Sequence, residues 1–202
     1  MKIMRIPAGM LGTNCYILTD EASAETAVID PGGDAQKLIN EIDKTNTEVK
    51  YILLTHGHFD HTGAVTELKK KYNAPVYISS QDYAYVNSDD NELYAIIGDD
   101  GTISSFIHDG SEFSLGDLKI KAIETPGHTP GGVCFYVENV LISGDTLFDG
   151  SVGRTDFPGA SHEMLITSIY DKLMTLPDDT IVLPGHGGET TIGKERNSNP
   201  YL

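Results

Sequence analysis

The stretch Thr55-His56-Gly57-His58-Phe59-Asp60-His61 carries three of the seven histidines of the chain within six residues. It follows the apolar run Tyr51-Ile52-Leu53-Leu54, which is typical of a buried strand. Side chains two residues apart in an extended segment point the same way, so the first two histidines can converge on one point. A turn into the following helix can bring the aspartate and the third histidine to a second point. The pattern indicates one strand end that can serve two metal ions.

Three later segments repeat the pattern of an apolar run followed by glycine and a potential ligand. They are Ile123-Glu124-Thr125-Pro126-Gly127-His128, Leu141-Ile142-Ser143-Gly144-Asp145 and Ile181-Val182-Leu183-Pro184-Gly185-His186. Sites in α/β folds lie at the carboxyl ends of strands, and glycine permits the sharp turns that present a side chain there. We therefore expect side chains from four distant segments to meet at one edge of the fold.

Each of these signals also has a simpler explanation when it is taken alone. Asp60 could be the N-cap of the helix that follows, Asp145 could cap a turn, and Pro-Gly-His occurs in ordinary turns. Together, however, five histidines and two aspartates lie just beyond strand runs, and borderline metals such as Zn²⁺ favour imidazole with carboxylate. His108 and His162 lack this context and are not expected to bind metal.

The rest of the chain predicts many short strands and few helices. Runs rich in β-branched and aromatic residues predict strands over Lys2–Ile6, Asn14–Thr19, Thr26–Ile29, Val49–Thr55, Pro75–Ser79, Leu118–Thr125, Val133–Glu138, Val140–Ser143 and Thr180–Leu183. Helical periodicity covers Asp34–Lys44, Thr62–Tyr72 and Ser161–Leu176. The acidic residues of Ser88–Asp90 and Asp99–Asp100 predict solvated loop. These elements indicate an α/β or α+β sandwich in one domain over residues 1–202.

The composition argues against several kinds of partner. The 202 residues include 14 Lys and Arg against 30 Asp and Glu, a net charge of -16, which disfavours a basic face for nucleic acid or anionic lipid. Met1–Pro7 lacks the apolar core of a signal peptide, and no apolar run approaches the ~20 residues that span a bilayer. We therefore expect a cytoplasmic protein without nucleic-acid or membrane partners. Cys15 and Cys134 lie in apolar strand runs and are expected to be buried.

In order and spacing, the Thr-His-Gly-His-Phe-Asp-His motif, the later Pro-Gly-His, the Gly-Asp and the final Pro-Gly-His resemble the metallo-β-lactamase superfamily over essentially the whole chain. The best match is the glyoxalase II branch (hydroxyacylglutathione hydrolases), particularly its short bacterial members, which share Gly153-Arg154-Thr155-Asp156 and a tail like Asn199-Pro200-Tyr201-Leu202. The resemblance implies an αββα sandwich. In this α+β fold, two mixed β-sheets pack face to face with helices outside and a binuclear site at one edge.

The resemblance also implies a role for each candidate residue. The first metal would be held by His56, His58 and His128, and the second by Asp60, His61 and His186, with Asp145 as the bridge. The ions would be two divalent metals, zinc or else iron or manganese. Asp60 and Asp145 would be the catalytic carboxylates, and Arg154 would bind substrate. True class B β-lactamases usually have cysteine where Asp145 stands, so this aspartate points away from β-lactam hydrolysis.

The activity that the resemblance implies is thioester hydrolysis. A hydroxide that bridges the metals would cleave a small hydroxyacyl thioester such as S-lactoylglutathione. Classical glyoxalase II has a basic C-terminal helical region that binds glutathione, whereas this chain ends sixteen residues after His186. We therefore expect weak selectivity for the thiol. The sequence makes no prediction of oligomeric state.

Other activities share these motifs. Persulfide dioxygenases resemble the chain in the same motifs and in a similar Gly-Arg-Thr-Asp loop, but they use one Fe²⁺ and O₂. Pro184-Gly185-His186-Gly187 resembles the hydrolase version and favours hydrolysis. A lactonase-type hydrolase or a metal-binding protein without turnover is the third possibility. Seven ligands for two ions leave coordination positions open, which favours catalysis over a closed structural site.

Overall fold

A computed structural model describes residues 1–88, 97 and 101–202 of the chain. The first half forms a six-stranded sheet in the order β1-β2-β3-β4-β5-β6. Its strands are β1 (Lys2–Ala8), β2 (Thr13–Asp20), β3 (Glu25–Ile29), β4 (Glu48–Leu53), β5 (Val76–Ser79) and β6 (Ser105–Ile107). β1, β2 and β3 pair antiparallel, whereas β3 to β6 pair parallel, so the sheet is mixed.

The second half forms another six-stranded mixed sheet, in the order β14-β13-β10-β9-β8-β7. Within it, β10 and β13 are parallel and the other pairs are antiparallel. Its strands are β7 (Glu112–Leu115), β8 (Leu118–Glu124), β9 (Val133–Val137), β10 (Val140–Gly144), β13 (Ile181–Pro184) and β14 (Thr190–Thr191). Between β10 and β13 lies a small hairpin of β11 (Leu147–Phe148) and β12 (Ser151–Val152).

Helices cover the outer faces of both sheets. They are α1 (Ala35–Asp43), α2 (Phe59–Thr62), α3 (Val65–Tyr72), α4 (Ser80–Val86), α5 (His162–Ser168), which continues as a π-helical segment (Ile169–Leu173), and α6 (Ile192–Ser198). Among the described residues, no helix combines the length and the apolar character needed to cross a membrane.

The alternation of side chains along the strands explains why each sheet packs against the other sheet on one face and against helices on the opposite face. All of β2 is buried, because Tyr16 and Leu18 face the core between the sheets while Cys15 and Ile17 face the helices outside the first sheet. On the opposite sheet, Cys134 of β9 faces α5 in the same way. The predicted α+β sandwich of two mixed sheets is confirmed, and both cysteines are fully buried as predicted.

The structure differs from the sequence predictions mainly in short elements. All nine predicted strands are present, with ends shifted by at most two residues. Periodicity missed α4, α6 and the strands β6, β7, β11, β12 and β14, which have only two to seven residues each and contain little pattern. The predicted helix Thr62–Tyr72 begins three residues later, as α3 at Val65, because Thr62 ends α2 and the chain turns at Gly63 and Ala64. The loop predicted at Asp89–Asp90 and Asp99–Asp100 lies outside the described residues.

The predicted helix Ser161–Leu176 also changes form along its length. Ser161 caps it as predicted, by accepting a hydrogen bond from the Met164 N–H. From Ile169 it is a π-helix, closed by the bond from Met174 N to Ile169 O at 2.9 Å. A π turn takes up more residues than an α turn. Apolar residues spaced four apart, Leu165, Ile169 and Leu173, therefore all stay on the buried side.

Candidate metal centre

The first cluster consists of His56, His58 and His128. The first two residues follow β4, and His128 lies in the loop after β8. The Nδ1 atom of His58 lies 3.1 Å from Nε2 of His56 and 3.1 Å from Nε2 of His128. Nitrogen ligands of a tetrahedral zinc ion, with Zn–N bonds of about 2.0–2.1 Å, are about 3.3 Å apart. These two distances suit ligands of one metal ion, and the ligand atoms of all three histidines lie within 4.8 Å of one another.

The second cluster consists of Asp60, His61 and His186. Helix α2 presents the first two, and the third follows β13. His186 Nε2 lies 3.2 Å from Asp60 Oδ2, and His61 Nε2 lies 3.7 Å from the same oxygen. Asp145, at the end of β10, stands between the clusters. Its Oδ1 is 3.4 Å from His61 Nε2, and its Oδ2 is 3.6 Å from Nε2 of both His128 and His186.

Hydrogen bonds behind the clusters fix the orientation of the imidazoles. Thr55 Oγ1 donates to Asp30 Oδ2 at 2.6 Å, so the same hydroxyl oxygen accepts from His56 Nδ1 at 3.0 Å. His128 Nδ1 donates to the Arg154 carbonyl oxygen at 2.7 Å. A proton on Nδ1 leaves the Nε2 lone pair of His56 and of His128 facing the cluster, as a metal ligand needs.

Asp30 is a buried residue beside both clusters that the sequence analysis did not single out. Its carboxylate accepts from Thr55, behind the first cluster, and from His61 Nδ1 at 2.9 Å in the second cluster. The side chain is buried and the backbone φ is 52°, which places it in the left-handed region. The sequence did contain a signal for it, because Asp30 directly follows the apolar strand β3 and precedes Pro31-Gly32. The predicted ligands follow their own strands in the same way.

The two clusters have opposite electrostatics in the absence of metal. Burial lowers the pKa of His58 to about 3, and burial likewise lowers the pKa values of His56 and His128. In the second cluster the hydrogen bond to Asp60 raises the pKa of His186. Burial would also lower the pKa of His61, but the nearby carboxylates outweigh it and raise that pKa. The first cluster is therefore neutral, and the second holds protons that a cation could replace.

The carboxylates of the site remain ionised despite their burial. Burial opposes ionisation of Asp60, but hydrogen bonds from His186 and Thr13 and the nearby His61 outweigh it and lower the pKa of Asp60. Burial likewise opposes ionisation of Asp145, but the nearby His61 outweighs burial and lowers the pKa of Asp145. Two negative carboxylates beside five imidazoles are a donor set that suits zinc, iron or manganese.

Two of the buried polar atoms that lack a hydrogen-bond partner face each other in the site and test whether a metal fits. His61 Nε2 and Asp145 Oδ1 have no hydrogen-bond partner among the described residues, and their 3.4 Å separation is longer than a normal N–H···O bond. Leaving such groups unpaired is costly. A divalent ion between them would satisfy both atoms. The residues therefore fit the metals that the sequence pattern predicts.

A cavity of about 430 Å³ opens over the clusters. Its walls are mostly apolar and are formed by Leu11, Phe59, Phe148 and Phe157. Arg154 also lines it, as an exposed side chain whose Nε and Nη2 donate to the Asp156 carboxylate at 3.0 and 2.8 Å. The structure thus brings the predicted ligands and Arg154 to one site, whereas His108 and His162 are exposed and belong to neither cluster.

The chain is similar to known metal-dependent proteins over its whole length. The chain is 37% identical to the hydroxyacylglutathione hydrolase GloC of Haemophilus influenzae, over 100% of this chain and 98% of that protein. The crystal structure of BLEG-1 B3 metallo-beta-lactamase is 38% identical and superposes with a TM-score of 0.88, covering 100% of this chain and 99% of the other. That of TTHA1623 in a di-iron-bound form is 36% identical with a TM-score of 0.83, covering 98% and 100%.

The sequence profile of one family spans most of the chain. It matches residues 8–186, from the end of β1 to the last histidine of the second cluster. The segment therefore contains all seven predicted ligands and every strand of the two sheets except β1, of which it includes only the last residue, and β14. The chain belongs to the metallo-beta-lactamase superfamily.

Proposed function

We propose that the protein is a binuclear metal-dependent hydrolase that cleaves small hydroxyacyl thioesters, as glyoxalase II does. The observation that carries the proposal is the pair of clusters joined by Asp145 at the floor of an open cavity. A structural metal site is closed by protein ligands, whereas this one faces a space that holds a small molecule. The name of the Haemophilus influenzae relative supports a thioester as the substrate.

The residues of the chain would divide the work between holding the metals and orienting the substrate. When bound, two divalent ions supply a hydroxide nucleophile at neutral pH and polarise the carbonyl oxygen of the substrate. Asp145 would hold both ions at a fixed separation, and Asp60 would add its charge to the second position. The leaving thiol has a pKa of about 8.5, so its thiolate departs without an acid from the protein.

The cavity walls support weak selectivity for the thiol part of the substrate. Arg154 is the only cationic side chain, histidines aside, among the described residues that line the cavity, and it already pairs with Asp156. Its guanidinium carbon also lies 4.6 Å from the centre of the Phe157 ring. The wall therefore offers apolar contact but few charges to the carboxylates of a thiol such as glutathione.

Metal-replete protein tests this proposal with two lactoyl thioesters, one of glutathione and one of a small uncharged thiol. We expect about two ions per chain by elemental analysis, turnover that a chelator abolishes, and comparable kcat/KM for the two thioesters. A preference for glutathione of about thirtyfold, or about 2 kcal/mol, would contradict weak thiol selectivity. One iron per chain, with oxygen consumption on a persulfide and no thioester turnover, would replace the proposal with the dioxygenase alternative.

β-Lactam hydrolysis is the second candidate, because a structure named as a B3 metallo-beta-lactamase matches the whole chain. Asp145 argues against it, because class B β-lactamases usually have cysteine at this position. A chromogenic cephalosporin, assayed beside the thioesters, compares the two reactions directly. We expect thioester turnover to exceed cephalosporin turnover, and the opposite order would favour the second candidate.

A further inference from the structure

Outside the clusters, a buried carboxylate joins the two backbone segments that carry the first cluster. Asp82 lies on α4 and is fully buried. Its Oδ2 accepts from the Gly57 N–H at 2.8 Å, and its Oδ1 accepts from the Gly131 N–H at 2.6 Å. Gly57 separates the two histidines that follow β4, and Gly131 lies three residues after His128.

The packing around Asp82 leaves little freedom for these segments to move independently. The helix that carries Asp82 is capped by Ser79, whose Oγ accepts from the Asp82 N–H at 3.1 Å. A Cβ at Gly131 would meet Ser79 Oγ and would lie 2.6 Å from Asp82 N and 2.9 Å from Asp82 Oδ1. Glycine is therefore required at position 131 for the loop to approach α4 closely enough for the hydrogen bond.

The second cluster is held by a different part of the chain, the start of β2. Thr13 Oγ1 donates to Asp60 Oδ2 at 2.7 Å. Asn14 Nδ2 donates to the carbonyl oxygens of Pro184 and Gly187 at 2.9 and 3.1 Å, on either side of His186. Asp82 therefore supports the first cluster, and Thr13 and Asn14 support the second, whereas Asp30 contacts both.

We propose that Asp82 is a positioning residue that sets the metal affinity of the first cluster through Gly57 and Gly131. The proposal rests on the proposed metal-dependent function. A carboxylate accepts both N–H groups at once, whereas the amide of asparagine would accept one and set its own N–H₂ against the other. The resulting shift of either segment would change the separation of His58 from His128, now 3.1 Å between the ring nitrogens.

Co²⁺ titration of variants with one cluster tests the proposal, because Co²⁺ reports its ligands by visible absorption. His186→Ala retains the first cluster, and His128→Ala retains the second. In the His186→Ala background we expect Asp82→Asn to raise the Kd for Co²⁺ about tenfold or more, which is the scale of losses from groups that orient ligands. In the His128→Ala background the Kd should change less than twofold.

Two further variants complete the design. Thr13→Val should give the reverse pattern, with weaker Co²⁺ binding only in the His128→Ala background. Asp20→Asn is the matched control, because Asp20 also accepts two backbone N–H groups, from Ala22 and Ser23 at 3.3 and 3.2 Å, but at the far end of β2. It should change neither Kd. Equal weakening of both clusters by Asp82→Asn, or no weakening of either, would overturn the proposal.

A substitute variant and the wild-type protein cover the remaining outcomes of the titration. If Asp82→Asn does not fold by circular dichroism, Asp82→Glu replaces it, since glutamate keeps both acceptors but displaces them by one methylene group. The same selective weakening is expected, and equal weakening overturns the proposal. Wild-type protein that binds no Co²⁺ would overturn the proposed function, whereas two bound ions with an unaffected Asp82→Asn variant would overturn this inference alone.

Discussion

Asp145 is the residue that faces both clusters. Its two oxygens face different clusters, with Oδ1 toward His61 and Oδ2 toward His128 and His186. Replacing it with alanine would strip a ligand from both metal positions and remove the group that sets their separation. Removing His186 would affect only the second position. Asp145→Ala should therefore affect both metal positions, whereas His186→Ala should affect only one.

We expect Asp145→Ala to lose metal from both positions and to lower kcat/KM at least tenfold further than His186→Ala, which should retain one ion and residual activity. Elemental analysis and thioester kinetics on the same preparations measure both effects. His108→Ala is the control, because His108 is exposed and lies outside both clusters. An Asp145→Ala variant with two ions and normal turnover would show that the ligand assignment is wrong.

The opposite pKa shifts of the clusters predict the order in which acid releases the metals. Protons compete with metal for imidazole nitrogen. The pKa of His186 is raised, so it takes up a proton at a higher pH than His58, whose pKa burial lowers to about 3. As the pH falls, the second cluster should therefore lose its ion before the first.

Dialysis of the metal-loaded protein between pH 7.5 and 5, followed by elemental analysis, measures this order. We expect the content to fall from two ions to one before it falls to zero. His186→Ala should hold its single ion throughout the first of these steps. Simultaneous release of both ions would contradict the prediction.

At the scale of elements, the one-turn helix α2 depends on the loop after β3. It has only four residues, too few to be stable alone, and two of them belong to the second cluster. A Cβ at Gly32 would meet the Asp60 carbonyl oxygen and lie 2.9 Å from the carbon of that carbonyl. The bond from Ala64 N to Pro31 O at 2.8 Å ties the same loop to the chain just after α2.

Gly32→Ala should therefore displace α2 and weaken metal binding at the second cluster more than at the first. It should also lower the free energy of unfolding by about 1–3 kcal/mol, the usual cost of overpacking. Urea denaturation and metal titration measure the two effects. Gly188→Ala is the matched control, because a Cβ there would meet no atom within 4 Å. A Gly32→Ala variant as stable as the control would refute this account of α2.

The sequence analysis predicted the elements that repeat a pattern and missed side chains whose role depends on tertiary contacts. The strands and the residues beyond their ends share an apolar run and a turn, so His128, Asp145 and His186 could be found by comparison with one another. Asp82 and Thr13 lie within elements and show no such signal. Their roles depend on which loops pack beside them, and a local pattern does not contain that information. The break at Gly63 and Ala64 was missed for the same reason.

At the scale of the whole molecule, the apolar core is extensive. Buried apolar side chains fill the space between the sheets and the space beneath the helices on both outer faces. The fold should therefore survive without metal. Ions that bind only the native state still add stability, about 4 kcal/mol when their free concentration is a thousand times Kd.

Removal of metal by a chelator should leave the circular dichroism spectrum unchanged and lower Tm by about 10 °C, given about 2–4 °C per kcal/mol for a chain of this size. Differential scanning calorimetry of the metal-loaded and metal-free protein measures the shift. The same chelator should shift Tm of Asp145→Ala much less. Loss of the cooperative transition on chelation would instead show that the metals are part of the folding core.

The sheet order has a consequence for how the centre is assembled. Each sheet is built from one continuous half of the chain, and the halves meet at the exposed turn between β6 and β7. His56, His58, Asp60 and His61 come from the first half, and His128, Asp145 and His186 come from the second. Neither half has the donors for two ions. A chain severed at that turn would behave as a heterodimer whose subunits share their metals, with association linked to metal concentration by mass action.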